Sequence, residues 1–356
     1  MSNERIYKKR TIRDVANLAG VSITTVSHVV SGRRAYSAET EQKVQKAIRD
    51  LEYVPSYVVR GLRHESTLTL GACITDPFRE SLKLRRTFAE QLWRGVIAEA
   101  DIQGYSTLHY PEAIRSGKDH RPFLSGLIDG MLATCDPEDE RPARLAAAGL
   151  PVVVLGLDSN IPDGVGAVVE DETTIVTLAL SHLFDLGHRV IAHIPGPLSN
   201  APERDNISQR RTEAFRTLMT SRGLLREDLI AESESWEPVS ISETLRSWSK
   251  LENRPTAIFC SNDAIALQAL ADAKTVGLRV PEDLSIIGVD DIPEASLSSP
   301  TLTTIRVPIE ELGREGVRCL VRMLRGEPAS QCRVTLRSSE LVHRFSTSPV
   351  RGHSSS

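Results

Sequence analysis

The chain has 356 residues, 40% of them hydrophobic and 25% charged, with a net charge of −4; these are globular proportions, with length for two or three domains and a sizeable core. Five scattered cysteines without a CxxC pair exclude a disulfide framework or a zinc site. The polar opening MSNERIYKKR and the lack of a long apolar run exclude a secretory leader or a membrane span, so a cytoplasmic chain is expected. The charge is uneven. Residues 1–65 hold twelve Lys/Arg against seven Asp/Glu, which leaves −9 on the remainder. A basic head on an acidic body fits a chain whose head alone meets phosphates.

The stretch TIRDVANLAGVSITTVSHVV opens at Thr11, a good helix N-cap, with Asp14 at the position that completes a capping box. Val15, Ala16 and Ala19 share one face of a short helix, and Gly20 permits the tight turn after it. Ser22 caps a second helix with Val26, Val29 and Val30 inward and Ile23, Thr24, Ser27 and His28 outward. Two short helices joined by a glycine turn, the second with an uncommitted polar face, predict a helix-turn-helix that reads duplex DNA. An ordinary helical hairpin explains the valines, but not four small or hydrogen-bonding groups left outside between basic residues. Arg33 and Arg34 follow in a loop placed to meet a phosphate.

Ser37 caps a third helix, whose Val44, Ala47, Ile48 and Leu51 close the head before Pro55. Residues 56–63, SYVVRGLR, are apolar on one side with no core to join, and a helix this short is marginal in water. Order there is expected only with a partner. From residue 68 the rhythm becomes α/β. Apolar runs at 68–74, 130–133, 152–155, 190–194, 257–260 and 284–289 read as buried parallel strands. Helical segments at 88–103, 173–186, 210–222, 242–251 and 264–276 separate them, and Gly104, Gly149, Gly187, Gly223 and Gly277 mark helix ends. The count fits two consecutive doubly wound halves better than one large sheet. The polar tail, 346–356, is expected to be disordered.

These residues resemble the lactose/galactose repressor (LacI/GalR) family of bacterial transcription regulators along nearly the whole chain. The head carries TIRDVA from Thr11, AGVS from Ala19 and TVS from Thr25. The core carries LGHR at 186–189, Arg211 with Phe215, SND at 261–263, VPED at 280–283, IGVDD at 287–291, LTTI at 302–305 and ELVHRFST at 340–347. The resemblance implies an all-α helix-turn-helix head on an α/β core of two doubly wound parallel-sheet subdomains, like periplasmic sugar-binding proteins. It implies a homodimer on a near-palindromic double-stranded operator, most simply as a repressor. The expected divisions are 1–54 for the head, 55–65 for the hinge, 66–171 with 306–335 for the first subdomain and 172–305 with 336–347 for the second. The tail is then 348–356.

By this resemblance Ile23, Thr24 and His28 read bases, each contact being worth on the order of 1–3 kcal/mol of discrimination. Thr11, Ser22, Thr25, Ser27, Arg33 and Arg34 cap helices and position phosphates without specifying sequence. In the hinge Val58, Arg60 and Leu62 match, and Leu62 is expected to wedge into the minor groove with its dimer mate. Packing of Leu62 on the core is the plainer alternative. Ligands of open parallel sheets sit beyond the strands' carboxyl ends, which singles out Asp76, Asp171, Asn262 and Asp290 for a small-molecule effector; Arg211, near the start of its helix, adds a guanidinium fork and Trp236 a flat face on which a sugar stacks. A sugar is the family's usual effector. Taken singly, each of those residues reads as a cap or surface group.

Three departures fall in the first subdomain. Gly156 stands where the family often has aspartate, 78–87 is longer and basic, and 110–123 is shorter. Extra cations near the cleft suit an acidic or phosphorylated ligand, though a solvated loop explains them as well. No catalytic motif, cofactor site or metal site emerges, and His182, His188 and His193 read as structural. The competing reading is a solute-binding or enzymatic protein with a vestigial head. The capped helices and the head's positive balance argue against it.

Overall fold

The computed structural model describes residues 10–31, 34–53, 66–74, 86–110, 117, 119–135, 139–156, 160–196, 207–231 and 239–350. The chain divides into two compact units, Met1–Thr67 and Leu68–Ser356. In the first, α1 (Ile12–Ala19), α2 (Ile23–Ser31) and α3 (Ala38–Asp50) enclose a small core of Val15, Ala16, Ala19, Val26, Val44 and Ala47. Local chemistry explains the boundaries. Asp14 N–H donates to the Thr11 hydroxyl and Thr11 N–H to the Asp14 carboxylate, so the capping box is complete. Gly20 takes φ 67°, a left-handed conformation that a side chain would strain.

The second unit holds two sheets. The first, in the order β10-β5-β4-β3-β1-β2, contains β1 (Thr69–Cys73), β2 (Ser106–His109), β3 (Gly130–Ala133), β4 (Val152–Leu155), β5 (Val165–Glu170) and β10 (Arg333–Leu336), all paired in parallel. The second, in the order β11-β9-β8-β7-β6, contains β6 (Ile191–Ile194), β7 (Ala257–Cys260), β8 (Ser285–Val289), β9 (Thr303–Arg306) and β11 (Glu340–Val342). It is parallel except that β11 runs antiparallel to β9. The inner strands are buried on both faces, which is why GMLA, VVVL and AIFC are continuous apolar runs rather than alternating ones.

Helices α4 (Arg86–Gln103), α5 (Arg141–Ala147) and α10 (Ile309–Leu324) accompany the first sheet. Helices α6 (Glu172–Asp185), α7 (Ile207–Ser221), α8 (Ser242–Ser249) and α9 (Asp263–Thr275) belong with the second. The chain passes between sheets three times, at Asp171, after Arg306 and after Leu336. The five glycines expected at helix ends all have positive φ.

The end of the chain differs from expectation. Residues 346–350 are ordered rather than disordered: Ser346 and Thr347 are buried, the Ser346 hydroxyl donates to the Ile286 carbonyl, and Val350 N–H donates to the Leu186 carbonyl. Ser346 satisfies backbone groups of β8 and β9, and Thr347 bonds the side chains of His182 and Thr303, roles that polarity alone does not reveal. Among the described residues, no helix is long and apolar enough to cross a membrane, and no cluster of His, Cys, Asp and Glu has the makings of a metal site.

Candidate nucleic-acid interface and ligand cleft

At the start of α2, Thr25 N–H donates to the Ser22 hydroxyl at 3.0 Å, and the two hydroxyls lie 2.9 Å apart. That cap leaves Ile23 (41% exposed) and Thr24 on the open side of the helix. Half-buried His28 lies one turn further along, its Nδ1 3.0 Å from the Tyr36 hydroxyl. The Arg34 guanidinium sits 5.9 Å from the centre of the same tyrosine ring. Tyr36 therefore links the second helix to the loop after it and orients the imidazole. The sequence reading missed it, since a tyrosine in a polar loop carries no periodicity.

Ser27 corrects that reading. It is only 4% exposed, because α2 packs against both α1 and α3 and the position beside Val26 is enclosed with it. It does not belong to the outward face and offers little side-chain surface to a phosphate. Thr11 and Ser22 are exposed, but their hydroxyls already cap helices. Arg33, Val58, Arg60, Leu62, Asp76 and Trp236 lie outside the described residues.

In the second unit, Arg211 on α7 is the centre of a buried polar cluster. It is 5% exposed; its Nε donates to Glu172 at 2.5 Å and its Nη1 to the Ser261 carbonyl at 2.5 Å. Burial pulls the guanidinium's pKa down, but Glu172, Asp290 and Glu170 outweigh it and hold the pKa above its ordinary value. Glu170 closes β5 and is pushed up to about 7 by burial and then by Glu172. Asp290, just past β8, is also pushed up to about 7 by burial, against the pull of Arg211. Asp290 and Asp291 both adopt positive φ, 112° and 57°, an uncommon backbone for non-glycine residues and one that concentrates at functional sites.

Asp290 also lines a cavity of about 360 Å³, with Gln91 of α4 and with Asp291, Arg306 and Glu310 near the passage between sheets. Asp291 is neutralised by Arg344 at 2.6 Å and Arg306 at 2.7 Å. Arg210, beside Arg211, donates to the Gly156 carbonyl at 3.0 Å and so ties α7 to the end of β4.

The predicted effector residues divide. Arg211 and Asp290 come together. Asp171 caps α6 through Thr174 N–H and pairs with Arg337, and Asn262 caps α9 through Ile265 N–H, so these bonds fix both side chains in place. Glu170 and Glu172 were missed, although carboxylates flanking Asp171 at the carboxyl end of an apolar run were a readable signal. The histidines are structural: His182 bonds Thr347, His188 bonds Thr256 and the Ser348 carbonyl, and His193 bonds the Phe259 carbonyl and Thr212.

Two family models match the chain: "Bacterial regulatory proteins, lacI family" over residues 11–56, and "Periplasmic binding protein-like domain" over residues 180–347. The ribose operon repressor of Escherichia coli is 34% identical over 92% of this chain and 96% of its own length. The transcriptional repressor PurR of Aliivibrio salmonicida is 33% identical over 88% and 92%. Among solved structures, the lac repressor dimer bound to operator and an anti-inducer aligns over 96% of this chain and all of that one, with 25% identity and a TM-score of 0.73. A complex of the regulator CelR with cellobiose aligns over 95% and 100%, with 28% identity and a TM-score of 0.66.

Proposed function

Since the chain belongs to the lacI family of bacterial regulatory proteins, and is thus a DNA-binding repressor with an effector-binding core and not an enzyme, we propose that α2 reads operator bases through Ile23, Thr24 and His28. The observation that carries this is the pair of exposed side chains, Ile23 and Thr24, at the capped N-terminus of α2, with His28 held on Tyr36 a turn later. Ile23 offers apolar contact to a thymine methyl, Thr24 donates or accepts, and His28 bonds a purine edge. Thr11, Ser22, Thr25 and Arg34 position phosphates, with Arg33 beside them.

Two such heads, one from each subunit of a homodimer, span the halves of a near-palindromic operator, and Val58, Arg60 and Leu62 reach the minor groove between them. The effector, a sugar or sugar-like metabolite, binds in the cleft against Arg211, Asn262 and Asp290, with Asp76, Asp171 and Trp236 around it. By favouring one arrangement of the core it changes the separation of the heads.

Competition binding on an operator and its single-base variants tests the base-reading set. Ile23→Ala and His28→Ala are each expected to lose about 1–3 kcal/mol of discrimination at one base pair per half-site and to leave non-specific binding unchanged. A uniform loss across all sequences would remove these residues from base reading.

A further inference from the structure

We propose that Tyr36 is a specificity-determining residue of the head: its hydroxyl fixes the His28 ring as an Nε2–H donor, so that the base His28 meets is guanine, which offers N7 and O6 as acceptors. The proposal rests on the base-reading assignment above and adds the identity of one base and the residue that imposes it. Tyr36 is held at both its backbone and its ring. It directly precedes Ser37, the N-cap of α3, and its N–H donates to the Glu41 carboxylate at 3.4 Å. The Arg34 guanidinium stands 5.9 Å from the centre of its ring, and the imidazole of His28 lies 6.3 Å from it, tilted by 33°. The half-buried side chain thus reaches back from the start of α3 to α2 and places its oxygen 3.0 Å from His28 Nδ1.

One proton sits in that contact, and it has two arrangements. Either the phenol donates to a bare Nδ1, or Nδ1–H donates to the phenol oxygen. Two features select the first. A phenol oxygen shares its lone-pair density with the ring and donates better than it accepts, whereas the bare nitrogen of a neutral imidazole is a strong acceptor. The guanidinium over the tyrosine face draws that density further into the ring. A neutral imidazole carries a single N–H, so when Nδ1 accepts, the proton is on Nε2. With Nδ1 committed to Tyr36, contact with a base falls to Nε2, acting as a donor. In the major groove guanine presents two adjacent acceptors, adenine one acceptor beside an amino group, thymine one beside a methyl group, and cytosine an amino group alone. A donor brought to the amino group of adenine or cytosine meets another donor.

In the test, full-length wild type, His28→Ala and Tyr36→Phe each select sites from a pool of randomised DNA duplexes, and affinities are then titrated on the selected site and its single-base variants. The base pair whose preference His28→Ala erases is the one that His28 reads. Wild type is expected to favour guanine there over the other three bases by about ten-fold. Tyr36→Phe keeps the ring beside Arg34 and removes only the oxygen; it should cut that margin by about five-fold and leave the preferences governed by Ile23 unchanged. In the His28→Ala background the same substitution should change nothing at that base pair. A wild-type preference there for any other base, or a Tyr36→Phe protein that keeps the wild-type margin, would overturn the proposal and leave base reading by His28 standing. An equal loss at every base pair would also overturn it, by making Tyr36 a packing residue. If His28→Ala erases no preference at any position, the base-reading assignment itself fails, and this proposal with it.

Discussion

His193 lies on β6, at the end of the second sheet's strand order, fully buried and stacked against the rings of Phe215 and Phe259. Its Nδ1 donates to the Phe259 carbonyl, since a carbonyl only accepts, and its Nε2 lies 3.1 Å from the Thr212 hydroxyl, whose own proton goes to the Ser208 carbonyl. Burial lowers its pKa to about 4, against an ordinary value near 6.5. Between those values the unfolded chain binds a proton that the folded one refuses, so stability is lost as pH falls through the window, by roughly 3 kcal/mol in all. Glu170 has the opposite sign. Its pKa is raised to about 7, so from about 4.5 upward the folded chain keeps a proton that the unfolded one has released. Stability is therefore lost as pH rises to 7. The two overlap and partly cancel. His193→Gln should make denaturant-midpoint stability fall more steeply with rising pH between 4.5 and 7, and Glu170→Gln should make it rise more steeply. Parallel curves for the two variants would show that neither group titrates as its surroundings dictate.

The contact between α4 and α10 depends on two glycines. A Cβ on Gly95 would overlap the Glu310 carbonyl oxygen, and one on Gly313 would overlap the Leu92 carbonyl oxygen. Gly95→Ala sets two effects against each other. Alanine favours a helix interior by about 1 kcal/mol. Overpacking against backbone, which cannot rotate away, costs typically 1–3 kcal/mol or more. The clash should win, and the expected result is a lower denaturant midpoint, measured on the full chain. A midpoint at or above wild type would show that the two helices separate freely.

The same element shows where sequence reading ends. The head was legible because Thr11, Asp14, Gly20 and Ser22 act within four residues of themselves, and β1, β3, β4, β7 and β8 because burial on both faces makes them apolar runs, whereas the inner strands β5 and β9 were not among the runs singled out. Helix α10 was not among the segments singled out, nor were β2 and β10, whose half-exposed, mixed composition is that of edge strands. The pairing of Arg211 with Glu172 spans 39 positions. Arg211 was visible as a candidate, but the carboxylate already holding it was a matter of tertiary packing.

At the scale of the whole molecule, a unit ending at Thr67, with α1, α2 and α3 among its described residues, precedes a much larger α/β unit, and the division of charge follows that of structure. The first 65 residues are positive and the rest carries −9. The larger unit thus adds no general attraction for DNA, and on the proposed function its contribution to binding is to pair the heads. A single head touches one half-site through a few base edges and its phosphate contacts, which gives binding that is weak and strongly dependent on salt. Once one head of a dimer is bound, the second meets its half-site at millimolar effective concentration, which multiplies affinity by about 10²–10⁴ without any new contact. A chain cut after Thr67 is therefore expected to bind a palindromic operator about 10²–10⁴-fold more weakly than the intact protein in equilibrium titrations at fixed salt. It should also distinguish the palindrome poorly from an isolated half-site. Equal affinity and equal selectivity from the truncated head would mean that the core plays no part in holding two heads in register.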